Sequence, residues 1–142
     1  LDKKSRLAEE NRKRKTALIL SVESGNSEIV KMLLKANANI NEKLFDASNL
    51  LHLSIIKGYR DISRILLEFT KKSQVTYTGI DINEKDGNGL TPLMLATALG
   101  DRDTVKLLLE FGADKKIETA QNYTALSFAK DLGYKEIIQM LQ

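Results

Sequence analysis

The sequence of 142 residues predicts an all-α solenoid of short helix-turn-helix units, because two registers recur along the chain. A Thr or Asn precedes a short apolar segment at four anchor positions, which are Thr16, Asn49, Thr91 and Thr124. A glycine stands nine residues after each anchor and a leucine seventeen residues after it; they are Gly25, Gly58, Gly100 and Gly133, and Leu33, Leu66, Leu108 and Leu141. Successive anchors are 33, 42 and 33 residues apart. The chain therefore contains four related units.

The anchor predicts the start of the first helix in each unit. Thr and Asn side chains accept hydrogen bonds from the free N–H groups of a first helical turn. At Thr91 the anchor is followed by Pro92, which is favoured at the first helical position. The glycine nine residues later, such as Gly100, suits the left-handed residue that ends a helix. Each first helix is therefore expected to have about two turns.

A second helix is expected after each of these glycines. Ser27, Asp61 and Asp101 stand where it begins, and their oxygens suit free N–H groups. Its apolar face in the first two units consists of Ile29, Val30, Leu33, Leu34, Ile62, Ile65, Leu66 and Leu67. Asn37 and Gly112 end the second helix of their units, since both residue types tolerate a left-handed backbone. Helices this short are marginal alone, so stacking must stabilise them.

These residues carry a resemblance to the ankyrin repeat. The strongest match is DGNGLTPLMLATALGDRDTVKLLLEFGAD over residues 86–114, and TALSFAKDLGYKEIIQML from Thr124 resembles a terminal ankyrin repeat. NLLHLSIIKGYRDISRILLEF from Asn49 and TALILSVESGNSEIVKMLLKANANIN from Thr16 match the same frame more loosely. Lys115 and Lys116 depart from it, because they replace the apolar residue and Asn of earlier repeats. The resemblance covers residues 11–142, at the ankyrin period of 33 residues.

The resemblance implies one domain over residues 1–142. It would comprise an N-terminal extension or capping helix and four repeats: 1–10, 11–43, 44–85, 86–118 and 119–142. It also implies β-hairpin loops that project to one side and a concave face that recognises proteins. We therefore expect a non-enzymatic protein–protein interaction module with no cofactor. Alternatives are a regulatory or spacer domain of a larger polypeptide and a self-association surface.

Catalytic and metal sites are not indicated by the residue types. The chain has no Cys and a single His, His52, which excludes thiolate and multi-histidine sites. His52 lies at the helix-start histidine position of the ankyrin frame, so we interpret it as a structural hydrogen-bonding residue. The stretch DINEKDGNG over residues 81–89 superficially resembles a calcium loop, but Asp86 stands where Gly is required and Pro92 where the bidentate Glu belongs. We assign no catalytic, cofactor-binding or metal-binding residue.

A partner surface is predicted from exposed positions that the repeat pattern leaves unexplained. The candidate contact residues are Phe45, Ile56, Leu90, Leu99 and Tyr123. They are apolar or aromatic, as interface anchors often are, and Phe45, Leu90 and Tyr123 are the strongest candidates. The alternative is that some fold inward, which for Ile56 and Leu99 is an equally good interpretation.

The excess of positive charge lies at the start of the chain. The net charge is +3, from 22 Lys and Arg against 19 Asp and Glu, yet residues 1–15 alone contribute seven basic and three acidic residues. Arg12, Lys13, Arg14 and Lys15 form the basic run. A solvated loop is the preferred interpretation, followed by a contact to an acidic protein partner, and then by nucleic-acid binding or a nuclear-import signal. No aromatic residue interleaves the run, which disfavours base stacking.

The 42-residue spacing reveals an insertion of nine residues between Thr70 and Gly79. We expect it to lengthen the second helix of repeat two and then form a loop, with Tyr77 as a possible contact site. Asn41 and Asn83 each precede the next anchor by eight residues. The resemblance places them at the hairpin position that asparaginyl hydroxylases modify, which makes both candidate hydroxylation sites.

The compartment and assembly state are expectations of the same kind. No apolar run approaches the roughly 18 residues that span a bilayer, and the first residues are charged. We expect an intracellular, cytoplasmic monomer without a membrane span. Because the chain begins with Leu1 and its first repeat is rather apolar, we also expect it to belong to a longer polypeptide with a further repeat or cap before it.

Overall fold

Eight α-helices occur in the parts of the chain that the computed structural model describes, residues 15–72 and 79–142. They are α1 (Ala17–Glu23), α2 (Ser27–Lys35), α3 (Leu50–Lys57), α4 (Arg60–Lys72), α5 (Pro92–Ala98), α6 (Arg102–Glu110), α7 (Ala125–Leu132) and α8 (Lys135–Leu141). They form four consecutive helix pairs. The prediction of an all-helical solenoid is confirmed.

Each anchor residue caps the first helix of its pair. The side chains of Thr16, Thr91 and Thr124 each accept a hydrogen bond of 3.2 Å from the backbone N–H three residues later. Asn49 does the same over 3.0 Å for His52. The glycine after each first helix has a φ between 68° and 76°. The predicted starts and ends of these helices are confirmed.

Two of the second helices, α2 and α6, begin and end with similar local chemistry. Asn26, one residue before the predicted start, caps α2 by accepting the Ile29 N–H, and Asp101 caps α6. At the ends of α2 and α6, Asn37 and Gly112 adopt φ values of 67° and 87°, as the sequence predicts.

The helices pack in two layers. In the inner layer α1 contacts α3, α3 contacts α5, and α5 contacts α7. In the outer layer α2 contacts α4 and α6 contacts α8, and every inner helix packs on the outer helix of its own pair. The buried leucines seventeen residues after the later anchors lie between the layers; they are Leu66, Leu108 and Leu141. One continuous core therefore runs through all four pairs.

One predicted core residue of the first pair lies at the surface. Val30 and Leu34 of α2 are buried, but Ile29 is 43% exposed, which corrects its assignment to the buried face. The equivalent Ile62 and Ile137 of later pairs are fully covered. Ile62 and Ile137 belong to pairs that follow another helix pair, whereas no helix pair precedes α1 and α2 in residues 15–72 and 79–142.

The projecting loops contain no β-strand in residues 15–72 and 79–142. Each is instead a tight turn held by two backbone hydrogen bonds. The outer bond joins Leu44 N to Ser48 O (2.9 Å), Asp86 N to Leu90 O (2.9 Å) or Thr119 N to Tyr123 O (2.8 Å). The inner bond joins Ala47 N to Leu44 O (3.1 Å), Gly89 N to Asp86 O (2.9 Å) or Asn122 N to Thr119 O (2.9 Å). The second and third turns are also joined, because Gly87 N donates to Asp46 O over 2.6 Å. Both bonds lie within the turn and do not continue into a strand ladder, so the expected hairpins are reduced to turns.

The insertion lengthens α4, as predicted. This helix has 13 residues, whereas α2 and α6 have nine. Thr70 near its end accepts a hydrogen bond of 3.0 Å from Ile80 N, so the chain returns to α4 beyond the insertion. Tyr77 lies outside the described residues, and its contact role stays a prediction.

Candidate partner-binding surface

In the first and fourth repeats, the turn residue before the anchor contacts the end of the inner helix that follows. In the first repeat, Lys15 Nζ contacts Glu23 Oε1 over 2.9 Å. In the fourth, the Tyr123 hydroxyl donates to Asp131 Oδ2 over 2.6 Å. Each pair joins the residue before the anchor to the residue seven positions after it.

The two central repeats carry different residues at these same two positions. They are Ser48 and Ile56 in the second repeat and Leu90 and Ala98 in the third. None of these four side chains can form an ion pair. The surface is consequently bridged by polar contacts at both ends and is more apolar in the centre.

Exposed apolar side chains lie on the inner helices or directly after them. They are Leu20, Ile56, Leu99 and Leu132, at positions four, seven, eight and eight after their anchors. Positions three and four apart share one helix face, and the inner helices are stacked, so these side chains face the same side of the array. We call them, together with the turn residues Phe45 and Tyr123, the inner-helix face.

The candidate contact residues differ in exposure. Phe45 is 78% exposed, and Ile56 and Leu99 are 52% and 53% exposed, so the latter two do not fold inward. Tyr123 lies at the surface and packs edge-on against Phe128, with ring centroids 5.3 Å apart. Leu90 is half-buried against the core, so it is less exposed than the sequence predicts, and its contact role stays a prediction.

Two exposed leucines of this face were not among the candidate contact residues. Leu20 lies four residues after its anchor, whereas Leu53 at the same position of the second repeat is buried. Leu132 lies eight residues after its anchor, at the position of Leu99. Helical spacing identifies both leucines from the sequence, because position four lies three and four residues before positions seven and eight and shares their helix face.

His52 is a buried structural residue. Its Nδ1 accepts from the Asn49 N–H over 3.1 Å, and its Nε2 donates to the Leu90 carbonyl over 3.0 Å. Burial lowers the pKa of His52 below the usual histidine range, which the bond to Leu90 only partly offsets. The neutral imidazole therefore links two repeats. Among residues 15–72 and 79–142, no group of three or more His, Asp or Glu side chains is arranged to hold a metal ion.

The acidic residues of the loop over residues 81–89 build turns. Asp81 Oδ1 accepts from Asn83 N over 2.9 Å, and Asp86 Oδ1 accepts from Asn88 N over 2.9 Å and from Leu90 N over 3.0 Å. Such side-chain acceptors two residues before a donor are typical of Asx turns.

Of the four residues of the basic run, only Lys15 lies within the described residues. Lys15 pairs with Glu23, which neutralises its charge locally, while Arg12 and Lys13 lie outside the described residues. Its binding to an acidic partner or nucleic acid stays a prediction.

The two candidate hydroxylation sites occupy matching turns. Asn41 N donates to Asn39 Oδ1 over 3.0 Å, as Asn83 N does to Asp81 Oδ1. Asn83 Oδ1 also accepts from Asp114 N over 2.8 Å, which joins its turn to the next repeat. Asn83 thus has a structural role, and hydroxylation at either residue stays a prediction.

Comparison with known proteins places this array of stacked helix pairs in a class. A family model described as ankyrin repeats (three copies) matches residues 2–86 and 72–142. The chain belongs to the ankyrin repeat family. Proteins of this family generally act as protein-interaction modules and not as enzymes.

The individual relatives that the chain matches are otherwise different proteins. The chain is 32% identical over 77 residues to an ankyrin repeat protein of Rickettsia bellii, covering 54% of the chain and 46% of the relative. It is 30% identical over 131 residues to a transient receptor potential cation channel subfamily A member 1 homolog of Caenorhabditis elegans, covering 92% and 10%. It is 44% identical over 52 residues to the human DNA-binding protein RFXANK, covering 37% and 20%. The chain spans less than half the length of each relative.

Within the described ranges, every helix is too short or too polar to span a lipid bilayer.

Proposed function

We propose that this chain is a non-enzymatic module that binds a partner protein on its inner-helix face, the concave side that the family resemblance implies. The observation that carries the proposal is the alignment of exposed Leu20, Ile56, Leu99 and Leu132 on successive inner helices. Covering a half-exposed Leu or Ile side chain contributes about 1 kcal/mol, so four together supply a useful binding energy.

The centre of the inner-helix face is the most apolar part of the proposed binding surface. Ile56 and Leu99 are about half exposed, and neither is shielded by a polar bridge of the kind that Lys15 and Glu23 form in the first repeat. Phe45 lies on the turn that precedes Ile56 and presents an exposed aromatic ring. An apolar centre with polar ends suits a partner segment whose middle is apolar.

The experiment compares two double variants of the full chain. Ile56→Ser with Leu99→Ser removes the apolar centre of the inner-helix face. Ile29→Ser with Met32→Ser is the matched control, because these α2 side chains are also exposed, Met32 to 67%, but lie on another surface. Partners captured by the wild-type chain are identified by mass spectrometry and then measured by calorimetry.

We expect the first variant to weaken binding by about tenfold or more and the control to bind normally. Equal affinity of the wild type and the first variant, with unchanged melting, would show that the partner binds elsewhere.

A further inference from the structure

A second surface with its own chemistry lies in the outer layer, between α2 and α4. It is a recess of about 250 Å³. Its floor is formed by Leu34, Ile65 and Phe69, of which Ile65 and Phe69 are half-buried. Its rim carries the exposed lysines Lys31, Lys35 and Lys72. We call this recess the cationic groove.

The positive charge of the groove is only partly compensated. Glu68 is its single acidic lining residue and lies 3.9 Å from Arg64 of the same helix. Lys31 pairs with exposed Glu28 over 3.5 Å. Lys35 and Lys72 form no ion pair within residues 15–72 and 79–142. Two ammonium groups beside an apolar floor are thus available to a ligand.

The equivalent groove between α6 and α8 shows that the repeat architecture does not require this charge. Its floor holds Leu109 and Met140, which correspond in register to Leu34 and Ile65. Its rim is balanced, since two basic and two acidic residues line it; they are Arg102, Lys106, Asp103 and Glu110. The decisive difference is nineteen residues after the anchor, where Glu110 replaces Lys35.

Helix-end electrostatics account for only part of the lysine pattern. Lys35 and Lys72 lie in the last turns of α2 and α4, where a cation interacts favourably with the helix dipole. However, α6 has no basic residue in its last turn and forms a stable helix of the same length as α2. The dipole also does not explain why the lysines surround an apolar recess.

We propose that the cationic groove binds an acidic segment of a partner protein. One apolar side chain of that segment packs on Ile65 and Phe69, while flanking carboxylates pair with Lys35 and Lys72. A recess of this size is smaller than most small-molecule sites and suits one or two side chains. A lipid surface fits less well, because the apolar residues lie below the lysines and do not protrude.

The test titrates the isotope-labelled full chain with a short synthetic peptide in which glutamates flank a leucine and a phenylalanine. Amide chemical shifts report the site. We expect changes to cluster around Lys31, Lys35, Ile65 and Phe69, and to weaken with added salt. A peptide with glutamine in place of glutamate should bind at least about tenfold more weakly.

The double variant Lys35→Glu, Lys72→Glu should bind the glutamate peptide about tenfold more weakly than the wild type does. Lys106→Glu, at the register position of Lys31 in the balanced groove, should bind like the wild type. The Ile56→Ser, Leu99→Ser variant should also bind the peptide normally, because this proposal does not depend on the inner-helix face.

Three results would overturn the proposal. One is shift changes spread evenly over other exposed lysines such as Lys106 and Lys115. Another is equal binding of the glutamine peptide. The third is cosedimentation with phosphatidylserine vesicles when the acidic peptide causes no shift, since that result would assign the groove to a membrane surface.

Discussion

The imidazole Nε2 of His52 donates a hydrogen bond to the carbonyl oxygen of Leu90, 38 residues away, over 3.0 Å. The same ring accepts a hydrogen bond from the N–H of Asn49, the residue that caps the start of α3. The ring is fully buried. This one side chain therefore completes the cap of α3 and holds the turn of the third repeat against the second.

We expect the stability of the protein to fall as pH decreases from about 7 to about 5. A histidine in an unfolded chain titrates near pH 6.5, and burial lowers the pKa of His52 below that value. Below that pH the unfolded chain binds more protons than the folded chain, so acidification favours unfolding. Because His52 is the single histidine of the sequence, the effect can be assigned.

The measurement is urea unfolding at several pH values. The wild type should lose stability across this window at no more than about 1.4 kcal/mol per pH unit. His52→Gln keeps a polar side chain but cannot titrate, so its stability should vary less, even if it is lower throughout. An equal pH dependence in both proteins would assign the effect to other groups.

The local features of His52 and its helix were predictable, whereas the role of Leu90 was not. A cap such as Asn49 is set by residues within one turn, so sequence spacing is sufficient to find it. The burial of Leu90 depends on contacts with another repeat. Its register position in the sequence does not predict those contacts. Leu20 and Leu53 share a register position, yet one is exposed and the other buried. The inner-helix face was thus predictable as a set of positions, but not residue by residue.

A comparison of two glycines separates backbone strain from steric clash. Gly25 and Gly58 have the same left-handed φ, 75° and 76°. A Cβ at Gly58 would meet nothing within 4 Å, whereas one at Gly25 would lie 2.8 Å from Cζ of Tyr59. Gly58→Ala should therefore cost about 1–2 kcal/mol, the strain of the left-handed region.

Gly25→Ala should cost about 1–3 kcal/mol more, because the ring of Tyr59 must move as well. The double variant Gly25→Ala, Tyr59→Ala provides the control, since Ala at position 59 removes the clash. Urea unfolding followed by circular dichroism measures all of these variants. If Gly25→Ala and Gly58→Ala are equally destabilising, Tyr59 yields without cost.

Asp101 has two functions that substitution can separate. It caps α6, with Oδ1 accepting from Thr104 N over 3.2 Å, and it pairs with Arg60 of the second repeat over 3.0 Å. Burial raises the pKa of Asp101, but the hydrogen bonds from Thr104 and Arg60 lower it by a larger amount. The net pKa is therefore below the usual aspartate value. The charged form is favoured in the folded chain, and this contribution is lost as pH falls below about 4.

We expect Asp101→Asn to destabilise by less than about 1 kcal/mol, because asparagine is an equally good cap and an exposed ion pair contributes little. Asp101→Ala should cost about 1–2 kcal/mol through the lost cap. Arg60→Ala is the complementary control and should resemble Asp101→Asn. A larger loss for Asp101→Asn than for Asp101→Ala would mean that the cap is not the main contribution.

We expect that the insertion of repeat two can be removed without disturbing the core. Phe69 and Gly79 flank residues 70–78, and Phe111 and Gly112 stand directly adjacent at the corresponding place in repeat three. Deletion of residues 70–78 therefore recreates the local sequence pattern of a regular repeat. It also removes the hydrogen bond from Ile80 N to Thr70 Oγ1, the contact of Lys71 with the Phe111 ring and Lys72 of the cationic groove.

We expect the shortened chain to fold with a melting temperature within a few degrees of the wild type, because loop length alone has a weak effect on stability. Heteronuclear NMR should show shift changes confined to the end of α4 and to residues 79–83. Collapse of the outer core, reported by Leu66 and Leu67, would show instead that the extension of α4 contributes to packing. If the shortened chain folds but loses a partner that the wild type binds, a residue between 70 and 78 contacts that partner, and the Lys72→Glu variant distinguishes Lys72 of the cationic groove from the insertion with Tyr77.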